Sequence, residues 1–108
     1  MMALGKGYLM QEEEFRAEVV RVIAVYERVT GHVAVRTHEM IRNLGEIEAL
    51  SRLMISPNLQ QGFRALRDQH LLHETFEAVV VRFHDLFRQD VVEAAQWRLD
   101  HAAQLLKD

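Results

Sequence analysis

The chain has no cysteine, one proline and five glycines among its 108 residues. Without cysteine it forms no disulfide, no thiolate metal site and no cysteine nucleophile, a usage that fits a reducing cytoplasm. So little proline and glycine leaves too few turns for a sheet protein, and the hairpin-closing dipeptides Asn-Gly and Asp-Gly do not occur. Serine is scarce as well: Ser51 and Ser56 stand alone, and neither falls in G-x-S-x-G or S-x-x-K. There is no P-loop and no G-x-G-x-x-G. These absences point away from an enzyme, and no catalytic residue is assigned. The longest apolar run, Val22–Tyr26, falls far short of the ~20 residues that span a bilayer. The opening MMALGKGYLMQEEE lacks the apolar stretch of a secretory signal. The expectation is a cytoplasmic protein with no membrane contact and no cofactor.

What is present has the balance of a globular protein. Hydrophobic residues make up 49% and charged residues 27%, which separates the chain from the disordered class. A chain this long forms one domain and buries roughly two-thirds of its unfolded surface.

The apolar spacing is helical throughout. Residues 1–10, with Gly5 and Gly7, read as a flexible leader, and 11–108 as a single all-α domain. Phe15, Val19, Val22, Tyr26 and Val29 alternate steps of four and three, and Thr30-Gly31 ends that helix. Met40, Ile41, Leu44, Ile47, Leu50, Leu53 and Met54 form one helix or two, and Gly45 favours a break. Ser56-Pro57 has the chemistry of a helix start, and Leu59, Phe63 and Leu66 follow at helical spacing. A further helix covers His73–Phe87 with Phe76, Val79, Val80, Phe83 and Phe87 inward. Asp90 and Glu93 have capping-box spacing before a seam of Val92, Ala95, Leu99, Ala102 and Leu106. EVVRVIAV and FEAVVVRF are β-branched enough to read as strands, but the missing turn chemistry decides against that. The result is a compact bundle of five or six helices joined by short turns.

Charge divides the chain. Residues 31–67 carry five arginines against three glutamates, a balance of +2, whereas 68–108 carry four basic and eight acidic residues, a balance of −4. Such asymmetry marks a face for an anionic partner, or helix surfaces that pair with each other. Under the first reading the chain is helix-turn-helix-like. Gln60, Arg64 and Arg67 form a reading stripe suited to base edges, with Arg36, Arg42 and Arg52 in support. Glu46 and Glu48 oppose that reading by repelling a phosphate backbone.

The alternative is a non-enzymatic interaction or regulatory module that acts through helix surfaces on a protein partner or on a second copy of itself. Val92, Ala95, Trp97, Leu99, Ala102 and Leu106 are the candidate oligomer interface. Alanines permit close helix approach there, and a flanking tryptophan is a favoured contact residue. This module is the leading expectation and nucleic-acid binding the second. His70, His73, Glu74 and Glu77 are the best cluster for a metal, but HETFE puts glutamate where H-E-x-x-H needs histidine, and no metal is assigned. The stretches RTHEMIRNLGEIEALSRL and TFEAVVVRFHDLF have the look of a bacterial helical module and carry the signature of no characterised family.

Overall fold

In the computed structural model the backbone is described for residues 2–57 and 61–105, and the side chains for 11–57 and 61–105. The described residues form seven α-helices and two 3-10 turns, with no strand among them. The all-α bundle read from the sequence is therefore the fold. Its longest element, α1 (Met2–Thr30), starts at Met2 and not at Gln11, so the expected leader is helical in backbone despite its two glycines. Phe15, Val19, Val22, Ile23 and Val25 of α1 are buried. Thr30 donates its hydroxyl hydrogen to the Tyr26 carbonyl, and Gly31, at φ +73°, donates its amide to Glu27 O at 2.9 Å. That closes α1 where the sequence placed its end.

The break at Gly45 is real. Helices α2 (Val35–Leu44) and α3 (Glu46–Ile55) meet there, and Gly45 adopts φ 83°, ψ 163°, a conformation open in practice only to glycine. Its amide still donates to Ile41 O at 2.8 Å and its carbonyl accepts from Ala49 at 3.0 Å, so one residue serves both helix ends.

The described part of helix α4 is Gln61–Asp68, and residues 58–60, which separate it from the expected start at Ser56-Pro57, lie outside the described residues. Ser56 closes α3, its amide donating to Arg52 O at 3.1 Å. Phe63 and Leu66 face the core, and Gly62 lies against the Tyr26 ring so closely that a Cβ would stand 3.1 Å from two ring carbons. At the far end His70 takes φ 62°. Leu71 donates to Leu66 O at 2.7 Å and His70 to Arg67 O at 2.9 Å. This is the paired hydrogen bonding of a Schellman cap, with histidine in glycine's place.

The expected helix 73–87 is three pieces: a 3-10 turn at Leu72–Glu74, α5 (Phe76–Arg82) and a second 3-10 turn at His84–Leu86. Thr75 starts α5 by accepting from Ala78 N at 3.2 Å, a cap missed when the start was placed at His73. The inward set is as expected: Val79, Val80 and Phe83 are buried, and Phe76 and Phe87 pack against them. Phe15 meets Phe83 and Phe87 edge-on at centroid distances of 5.6 and 5.5 Å.

Helix α6 spans Gln89–Asp100, and α7 (Ala102–Leu105) follows a turn at His101. The capping box at Asp90 does not form: Arg88 occupies the cap position, and Asp90 pairs with the Arg88 guanidinium at 3.1 Å. The inward seam also differs. Val91, Ala95, Arg98 and Ala102 are buried, whereas Val92 and Leu99 are only half-buried and Leu106 lies outside the described residues. An arginine turned inward displaces the purely apolar register. Helix α5 packs on α6 and α3, while α1 packs on α4 and α5. The core lies between these two layers.

Candidate functional site

The structure disperses the arginine stripe. Arg36 and Arg42 are exposed on α2, Arg52 pairs with Glu48 one turn away at 2.8 Å, and Gln60 lies outside the described residues. Arg64 is exposed on α4, but Arg67 turns back, donating to Asp68 at 2.6 Å and to the Ala102 carbonyl at 3.2 Å. Arg64 and Arg67 therefore do not present one reading face. Arg36, Arg42 and Arg64 have no ion pair or hydrogen bond among the described residues.

Arg36 and Arg52 do meet a common feature, a half-open cavity of about 360 Å³ between α1, α2, the end of α3, α4 and the start of α5. Its exposed rim carries Arg36, Arg52 and Gln61, and buried Val22, Phe63 and Leu66 line its floor. Nothing in the apolar periodicity announces this space, because it lies where several helices fail to close on one another.

Two polar clusters sit beside it. Glu77 and Arg98 are 2% and 6% exposed and form a hydrogen-bonded ion pair at 3.1 Å. Arg98 also donates to the carbonyls of Leu53 and Ser56, so one guanidinium joins α6 to α5 and to the end of α3. Burial pushes the Glu77 carboxyl above its usual range, and the charge and hydrogen bond of Arg98 offset only part of that. The second cluster ties α5 and its preceding turn to α1. Glu18 lies between Arg21 at 2.6 Å and Arg82 at 2.5 Å, and Arg21 reaches on to Glu74. The Arg21 hydrogen bond, with Arg82 behind it, holds Glu18 down to about 2 despite partial desolvation. Glu74 is lowered by Arg21 in the same way.

Across the molecule, the outer face of α6 carries Trp97, 51% exposed and stacked on His101 with centroids 4.3 Å apart and planes 20° from parallel. The His101 Nδ1 lies 2.8 Å from the Trp97 carbonyl, which fixes the imidazole under the indole. Glu93, Gln96 and Asp100 are exposed around this plate. Of the six residues expected at an oligomer interface, Ala95 and Ala102 are enclosed in the protomer's own core, at 0% and 4% exposure. Their small size serves internal packing of α6. Val92 packs partly against the core, Leu99 is half-buried, and Trp97 is the one fully presented among those described.

The histidine-carboxylate cluster does not assemble. His70 and His73 are exposed, Glu74 is engaged by Arg21, and Glu77 is buried on Arg98. Among the described residues no three histidine or carboxylate side chains are placed to hold a metal ion. None of their helices is long and apolar enough to cross a membrane. Comparison with known proteins adds no assignment: no family model fits the chain, and no curated protein or solved structure matches it.

Glu77, weighed in a histidine-carboxylate cluster to which no metal is assigned, is the buried partner of Arg98, a residue that apolar spacing leaves out of the α6 seam. The one signal in the sequence is register, since Arg98 stands three residues after Ala95 and four before Ala102.

Proposed function

We propose that the protein is a non-enzymatic interaction module whose contact surface is the outer face of α6, and that its partner is a second copy of the chain. The exposed Trp97 plate carries this reading. A tryptophan held rigid by stacking loses little conformational entropy on contact and offers a large apolar area. The carboxylates of Glu93 and Asp100 around it favour a basic counter-surface. The chain carries one itself in the exposed Arg42 and Arg64, and Arg64 is one turn from Arg67, whose guanidinium reaches Ala102 beyond the end of α6. In a twofold arrangement each copy would offer its acidic face to the other's arginines. The site lies on helices packed into the core, as a presented surface should. A cytoplasmic setting is part of this proposal, and the lack of cysteine fits it.

The test is light scattering after size exclusion over a concentration series, for the native chain and for Trp97→Asp. The native mass should rise with concentration and fall with added salt, and the variant should stay monomeric. A native chain that is monomeric throughout contradicts the reading.

A second reading keeps the exposed Arg36, Arg42 and Arg64 for nucleic acid. It is weakened by the inward turn of Arg67 and the Glu48 pairing of Arg52. The same series with short duplex DNA separates the two, since phosphate binding weakens steeply with salt.

A further inference from the structure

Beyond that surface, we infer that the cavity bounded by α1, α2, α3 and α4 is a binding site for a small amphipathic carboxylate, its chain in the cavity and its head between Arg36 and Arg52. The volume, about 360 Å³, is at the lower end of the range for small-molecule sites and accommodates a medium-length alkyl chain. The inside of the cavity asks for apolar contact only. Val22, Ile23, Phe63 and Leu66 present hydrocarbon, and the buried polar side chains that border it are already satisfied. Thr75 donates to Leu72 O and accepts from Ala78 N, Glu77 is held by Arg98, and Glu74 by Arg21. Among the described residues no buried side-chain nitrogen or oxygen lacks a hydrogen-bond partner. A polar ligand body would therefore find no buried side-chain group free to bind it.

The rim is different. Arg36 has no ion pair or hydrogen bond among the described residues, and it shares the rim with Arg52 from the neighbouring helix. Among the described residues Arg52 is engaged only by Glu48, in an exposed pair with side chains 58% and 48% accessible. Such surface pairs contribute little, so a ligand carboxylate can replace Glu48 at small cost. The two nearby carboxylates that could repel an anion, Glu74 and Glu77, each carry a guanidinium of their own. The charge left over at the mouth is positive, and guanidinium groups bind carboxylate in a planar, hydrogen-bonded geometry.

The experiment is calorimetric titration of the full chain with decanoate below its micelle concentration, with decanol as the uncharged control. The native chain should bind decanoate saturably at one site and decanol more weakly. Arg36→Ala with Arg52→Ala should weaken decanoate by at least about tenfold while leaving the helical circular-dichroism spectrum unchanged. Met40→Trp, which puts an indole at the cavity wall from α2, should abolish binding of both compounds. Absent or non-saturating decanoate binding overturns the assignment, and so does equal affinity in the double-arginine variant or in Met40→Trp. Because neither rim variant touches Trp97, the outcome is independent of the self-association test.

Discussion

Glu77 and Arg98 show how a single pair of residues can set the packing of three helices. Removing two charges from water costs several kcal/mol each, and the pair is tolerated because Arg98 spends its remaining hydrogens on Leu53 and Ser56 carbonyls. Glu77→Gln leaves a buried guanidinium without its counter-charge and should cost on the order of 3 kcal/mol in urea unfolding. Arg98→Met should cost less through charge, because burial raises the Glu77 carboxyl and it can take up a proton once its partner is gone, though two carbonyls then lose their donor. The double change should cost clearly less than the sum of the singles. Strict additivity would mean that the pair does not act as a unit. Gly45 acts through backbone alone. A Cβ there would meet nothing within 4 Å, so Gly45→Ala should destabilise by about 1–3 kcal/mol from strain at φ 83°, ψ 163° and not from a clash. An unchanged melting temperature would show that the α2–α3 turn can relax.

At the scale of elements, legibility in the sequence followed the ratio of apolar to polar residues in each inward face. The seam of α1 was readable because every member is apolar, as was the inward face of α5. The break between α2 and α3 was readable because glycine interrupts an otherwise continuous pattern. Helix α6 was misread by one register because its inward position 98 is an arginine, and a rule that counts only apolar side chains selects Leu99 instead. Ser56-Pro57 has the composition of an N-terminus, and Ser56 also ends α3; the residues that join it to Gln61 lie outside the described residues. The rim pairing of Arg36 and Arg52 had no sequence signal, since it depends on how α2 and α3 fold back across Gly45. Of the stripe Gln60, Arg64 and Arg67, Gln60 lies outside the described residues, and Arg67 donates to Asp68 and the Ala102 carbonyl, a contact that spacing along one helix does not reveal.

For the molecule as a whole, the charge division read from composition resolves into internal pairs and two faces. Several acidic side chains of the later segment are matched by arginines from other elements: Glu74 by Arg21, and Glu77 by Arg98. Those pairs, with Glu18 on Arg21 and Arg82, fix the acid behaviour. Glu18, Glu27 and Glu74 titrate below their ordinary value in the folded chain. For Glu27 the causes are the Ala34 amide and then His38. Their contribution is complete above about pH 4.5 and is lost as pH falls toward the folded value, about 2 for Glu18. Glu77 runs the other way, because a raised carboxyl favours the folded state as it takes up its proton. With four lowered carboxyls, Asp90 beside Arg88 being the fourth, against one raised, the urea midpoint should fall between pH 5 and pH 3. Glu18→Gln should flatten that slope, and an unchanged slope would remove the Arg21–Glu18–Arg82 cluster from the account. Among the described residues, Glu93 and Asp100 beside Trp97 have no cationic partner and Arg36, Arg42 and Arg64 no anionic one; these are the two surfaces that self-association would join. The chain's single tryptophan reports on that contact directly. Acrylamide quenching of its fluorescence across a dilution series should show Trp97 shielded at high concentration and open to the quencher on dilution or in high salt. A quenching constant independent of concentration would contradict the assignment of the α6 face as the site where two copies meet.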